Sequence, residues 1–93
     1  MISVIATVRA KPGMGAELEA DFKAWAEVVK ANEPGTLQYT LHRSREDPEV
    51  YYAIELYTDE AAVQAHMQNF QKRQGGADVL AGPPTILMLD KVV

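Results

Sequence analysis

Eight residues, Val50–Tyr57, constrain this chain more than any other stretch. They alternate as a strand does, with Val50, Tyr52, Ile54 and Leu56 on one side and Tyr51, Ala53, Glu55 and Tyr57 on the other. Neither side is polar enough to be fully solvated, so the segment is expected to lie inside a sheet that is covered on both faces. Its one charge, Glu55, sits among aromatics. Just before it, Leu37–Arg45 reads as another strand, and the polar turn at Asp47-Pro48 joins the two as a β-hairpin.

The rest of the chain arranges itself around that hairpin. Ile2, Val4, Ala6 and Val8 alternate with Ser3, Thr7 and Arg9, which predicts a first strand ending at Lys11-Pro12-Gly13. Gly13-Met14-Gly15 resembles a phosphate loop only in part. It lacks a third glycine and a following Lys-Ser/Thr pair, so it reads as a plain turn. Leu18, Phe22, Trp25 and Val29 then share one face of a helix over Ala16–Asn32, which Pro34-Gly35 terminates.

Beyond the hairpin, Thr58 or Asp59 is placed to cap a second helix running to about Gln74 and ending at Gly75-Gly76. Its apolar arc holds Val63, Met67 and Phe70, and His66 falls within the same arc. Ala77–Ala81 suits a short helical turn that tucks Val79 and Leu80 under the domain. After Pro83-Pro84, a last strand is predicted over Thr85–Val93. The order β-α-β-β-α-β over residues 1–93 predicts a single α+β domain of ferredoxin-like type. Its four-stranded antiparallel sheet would carry both helices on one face.

With one face covered, the other should be polar if it is wet. Strand three instead offers Tyr51, Ala53 and Tyr57 on its alternate side, and the last strand is apolar on both sides. Pairing with an identical sheet would cover such a surface, so a homodimer is expected. A net charge of −4 with scattered Lys and Arg argues against nucleic acid and against an anionic membrane surface. No apolar run reaches membrane-spanning length, and no signal peptide is visible. The absence of cysteine removes thiolate chemistry and suits the cytoplasm.

Chemistry-bearing residues are few. His66 has no histidine partner at i±3 or i±4, which speaks against a metal site. On an apolar helix face it is either a base working near neutral pH or a structural ring satisfied by one hydrogen bond. Glu55 is either a buried acid paired with a base or one half of an ion pair at a dimer seam. Trp25 reads as core or as the wall of a pocket, and His42 lies on the polar side of strand two.

Four segments taken together resemble the antibiotic biosynthesis monooxygenase (ABM) family. They are Glu33-Pro34-Gly35, the strand Tyr51-Tyr52-x-x-Glu55-x-Tyr57, Asp59-Glu60-Ala61-Ala62 followed by Ala65-His66-Met67, and Gly82-Pro83-Pro84 before the last strand. The resemblance covers nearly the whole chain. It implies a dimeric α+β barrel whose pocket takes a quinol or polyketide-like aromatic and oxidises it with molecular oxygen, without metal or flavin. Carried onto this chain, it marks Glu55 and His66 as catalytic. Trp25, Phe22, Tyr39, Tyr52 and Phe70 are then expected to contact the substrate. The chain departs from the family pattern after the second helix, where Asn69-Phe70 stands in place of a His-Phe pair. The same fold also serves haem degradation, sugar-phosphate isomerisation and members without activity. A small-ligand isomerase or binding protein and a non-catalytic dimerisation module therefore stand as alternatives.

Overall fold

The alternating stretches form four antiparallel strands and the two 3.6-periodic stretches form helices, in a computed structural model that describes residues 1–93. In chain order these are β1 (Ile2–Arg9), α1 (Gly15–Asn32), β2 (Thr36–Arg43), β3 (Val50–Tyr57), α2 (Glu60–Lys72), a 3-10 turn (Ala77–Val79) and β4 (Thr85–Asp90). The sheet runs β2-β3-β1-β4. This is the ferredoxin-like α+β arrangement, and β3 is interior to it as its composition demands.

Several ends differ from the predicted ones. β2 stops at Arg43 because the Ser44 hydroxyl accepts the backbone N–H groups of Glu46 and Asp47 and turns the chain. Asp59 caps α2 through the Ala62 N–H, and Arg73 adopts extended backbone, which ends the helix before Gln74. β4 ends at Asp90 rather than Val93. The Gly13-Met14-Gly15 segment is a turn: Gly13 takes φ +78°, and a side chain at Gly15 would meet the Tyr51 hydroxyl at 2.8 Å.

The register corrects one expectation. Glu55 pairs with Val4 of β1 and Tyr39 of β2, so these side chains share a face. That is the face under the helices, where Tyr51, Ala53 and Tyr57 are 2, 6 and 1% exposed. The open face carries the other set, Val50, Tyr52, Ile54 and Leu56, continued by Ile5 on β1 and by Leu87 and Leu89 on β4. Both sets are apolar, so alternation alone could not say which one the helices would choose. The open face nonetheless carries exposed apolar side chains, Leu87 and Leu89, beside the polar Gln38, Thr40 and His42 of β2.

Two small apolar clusters tie helices to sheet. Ala10, Leu18, Tyr51 and Val79 form one, and Val4, Tyr57 and Val63 the other. Their anchors on β3, Tyr51 and Tyr57, leave Ala53 and Glu55 between them. The functional groups gather in that interval.

Candidate active site

A cavity of about 680 Å³ opens between the helices and the inner face of the sheet. Val4, Ala6 and Ala53 contribute its floor, Trp25 and Phe70 part of its wall, and the Gly75–Pro84 segment its rim. A volume of this size takes a drug-sized ligand. Most of the lining is apolar, and the polar groups are few.

Those polar groups meet because of a close contact between α1's exit and α2. Glu33 is the C-cap of α1, its N–H bonded to the Val29 carbonyl. Two residues on, Gly35 lies so near Ala62 that a Cβ there would approach the Ala62 Cβ to 2.6 Å. The loop is therefore pressed onto the first turn of α2. His66 and Asn69, one and two turns further on and on the same side of the helix, come within reach of the Glu33 carboxylate. His66 Nδ1 lies 2.8 Å from Glu33 Oε1, and the Asn69 amide donates to Oε2 at 3.2 Å. The Thr36 hydroxyl also donates to Oε1, at 2.8 Å. Glu33, Glu55 and His66 are each 5–6% exposed.

From the other ring nitrogen, His66 Nε2 faces Glu55 Oε1 at 3.9 Å. This is too long for a direct hydrogen bond, yet one hydroxyl oxygen could lie within bonding distance of both atoms. The Tyr57 hydroxyl donates to the same Glu55 oxygen. Burial pushes the Glu55 carboxyl up from its ordinary value, and Glu33 pushes the same way; the Tyr57 hydrogen bond and His66 oppose them.

Trp25 Nε1–H donates to the Tyr39 hydroxyl at 3.1 Å. The Tyr39 proton has no protein acceptor, so it is free to donate to a ligand. Burial first and Glu55 second hold that phenol well above its usual range, so it stays a donor at neutral pH. Phe22 stacks on Tyr39 with centroids 4.8 Å apart. At the rim the Arg73 guanidinium pairs with Asp21 at 2.5 Å and lies 5.0 Å from the Trp25 ring centre.

Of the residues singled out in the sequence, His66, Glu55, Trp25, Phe22, Tyr39 and Phe70 all line this cavity. Tyr52 does not. It sits one residue out of phase with Tyr51, on the open face, 38% exposed. Trp25 is both core and wall, buried and yet lining the cavity. Phe70 and Met67, on the apolar arc of α2, are 44 and 48% exposed. Arg43 pairs with Glu19 outside the cavity, and Arg45 is exposed. His42 is exposed, as its side of β2 implies. Sequence reasoning gave no site role to Glu33, Tyr57 or Asn69. Glu33 carried a signal as an acid directly before a helix-stopping Pro-Gly, and Tyr57 as a tyrosine on the Glu55 side of β3. No group of three or more His, Asp or Glu side chains is arranged to hold a metal ion.

The profile of the family described as antibiotic biosynthesis monooxygenase matches residues 1–74. The chain belongs to that family. A Caulobacter crescentus structure provisionally named for the same family is 38% identical, with a TM-score of 0.86 over 99% of this chain and 90% of that one. A Pseudomonas aeruginosa structure is 32% identical at TM-score 0.82, covering 99 and 94% of the two chains. A third, from Nitrosomonas europaea and described as a protein of unknown function, is 27% identical at TM-score 0.81, covering 99 and 89%. No functionally curated protein matches the sequence at a significant level. Family and neighbours together support a monooxygenase-like function. No helix is long and apolar enough to cross a membrane.

Proposed function

We propose that this member of the ABM family is a cofactor-independent monooxygenase that oxidises a small hydroxylated aromatic, a quinol or polyketide-like ring, with molecular oxygen. The observation that carries the reading is the position of His66 Nε2 and Glu55 Oε1. They are two buried acceptors 3.9 Å apart at one end of an apolar cavity, placed to share one substrate hydroxyl. His66 takes the hydroxyl proton, and the aromatic anion gives one electron to oxygen. The resulting radicals recombine at a ring carbon as a hydroperoxide. Loss of water from that adduct leaves one oxygen atom on the ring and releases the other in the water, so the substrate supplies both electrons. The Tyr39 hydroxyl donates to the oxyanion as it develops, and Trp25 and Phe70 exclude water and orient the ring.

The open face of the sheet is proposed as the interface of a homodimer, since Ile5, Ile54, Leu56, Leu87 and Leu89 share it. A cytoplasmic location is proposed, which a cysteine-free composition permits.

Oxygen uptake with hydroquinones and anthrones, using purified protein and no added metal or flavin, tests the reading. His66→Ala is expected to abolish that uptake while the protein stays folded. If uptake per folded molecule survives in His66→Ala, the histidine is structural and the proposal fails.

A further inference from the structure

We propose that Glu33 is a positioning residue: it holds the Nδ1 proton of His66 and so leaves Nε2 as the basic atom facing the cavity. The inference rests on the reading of His66 as a base and names the group that makes it one. The neutral imidazole has one donor and one acceptor nitrogen, and the partner of one decides the role of the other. Nothing in the sequence around His66 supplies that partner. It comes from 33 residues away, through the pressed loop at Gly35.

The hydrogen bonds at Glu33 leave little choice. A carboxylate only accepts, and Glu33 receives the Thr36 hydroxyl and the Asn69 amide as well as His66 Nδ1. Nδ1 therefore carries its proton. The ring cannot easily turn over to exchange its nitrogens, because it is packed between Tyr39 and Tyr57 with centroids 5.0 and 5.5 Å away.

Nε2, in turn, has no donor in the protein. Glu55 Oε1 lies 3.9 Å away, and the Tyr57 proton already goes to that oxygen. The Tyr39 hydroxyl accepts from Trp25 Nε1 and makes no hydrogen bond to the imidazole. The titratable groups facing the imidazole are thus Glu33 on one side and Glu55, Tyr39 and Tyr57 on the others, and only Glu33 is within hydrogen-bond reach. With a carboxamide in its place, the proton would be free to move to Nε2, and the lone pair facing the substrate would be lost.

Nitrogen-15 spectra of histidine-labelled protein at pH 7 read the tautomer directly, with His42→Gln used to remove the second histidine. The wild-type ring is expected protonated at Nδ1 and bare at Nε2. Glu33→Gln is expected to shift the proton toward Nε2 and to lower kcat for quinol-dependent oxygen uptake by about a hundredfold or more, with KM within a few-fold, as when the acid of a catalytic triad becomes an amide. Glu33→Asp, which keeps a carboxylate, should retain the wild-type tautomer. A wild-type ring protonated at Nε2, or at both nitrogens, overturns the proposal. So does an unchanged tautomer and kcat in Glu33→Gln. If that variant does not fold, the wild-type spectrum decides alone. If the tautomer is as stated but no quinol drives oxygen uptake, the role of Glu33 stands and the monooxygenase reading falls.

Discussion

The two faces of the sheet reverse the usual distribution of polar and apolar groups. Under the helices lie two carboxylates, an imidazole and two tyrosine hydroxyls, nearly all inaccessible, while the opposite face presents Ile5, Ile54, Leu56, Leu87 and Leu89 with nothing over them. Burying a charged group costs free energy unless it is paired and hydrogen-bonded, and here Glu33, Glu55 and His66 each hold at least one side-chain hydrogen bond. Leaving leucines in water costs as well, and packing within one chain does not relieve it. The inner face thus carries groups that a merely stable protein would omit. The outer face carries groups that a solitary protein would omit. The first is the ground for the proposed ligand and the second for the proposed interface.

The largest effect that would break this contrast comes from the inner face. Glu33→Ala leaves His66, Thr36 and Asn69 without their common acceptor, and a loss of about 3–5 kcal/mol is expected in urea unfolding, as for a buried pair stripped of one partner. A loss below about 1 kcal/mol would mean that the cluster is wetter and looser than its burial implies.

On the outer face, Leu56→Lys should leave the fold intact and weaken self-association at least a hundredfold, about 2.7 kcal/mol. Sedimentation of wild type and variant at micromolar concentration compares the two. A wild type that already runs as a single chain removes the interface argument.

Acid sharpens the comparison further. The Glu55 carboxyl titrates above its ordinary value in the folded chain, so its contribution to stability is fully present below the unfolded value of about 4.5 and is lost as pH rises through the higher folded one. Glu55→Gln is expected to flatten that decline and to leave the variant relatively more stable near neutrality. Unfolding curves from pH 4 to 8 measure it.

The smallest effect separates two tyrosines that look alike in sequence. Tyr39→Phe should slow oxygen uptake about tenfold by removing one oxyanion donor, roughly 1.4 kcal/mol. Tyr52→Phe, on the open face, should leave turnover unchanged. Equal losses in both would erase the functional distinction between the faces.

What could be read in advance follows from the range of the forces involved. Element order and type came from local periodicity, because the alternation of β3 and the Leu18-Phe22-Trp25-Val29 stripe report on neighbours a few residues away. The inner side of β3 did not, because both sides are apolar and the only cue was Glu55, a charge that ordinary reasoning sends outward. Its burial makes sense only with Tyr57 two residues on and His66 overhead. Glu33 escaped for a related reason. In sequence it is a polar residue at a helix stop, and its burial arises where the Pro34-Gly35 turn meets α2. Phe70 and Met67 fall on the apolar arc as expected yet stay partly exposed, because helical phase tells inward from outward but does not tell a packed interior from the lip of a cavity.

The contact between Gly35 and Ala62 carries a consequence for how this protein tolerates change. A turn glycine following an exposed proline would ordinarily be counted among the freely replaceable positions. Here any added carbon must move α2 outward, and the distance between His66 and Glu33 is set by where α2 lies. In a saturation library scored for function, position 35 should therefore look like a chemical residue, intolerant even of alanine. Position 62 should accept only residues no larger than the one it has. The two sites would form a linked pair in which a gain of volume at one demands a loss at the other, although neither touches the substrate.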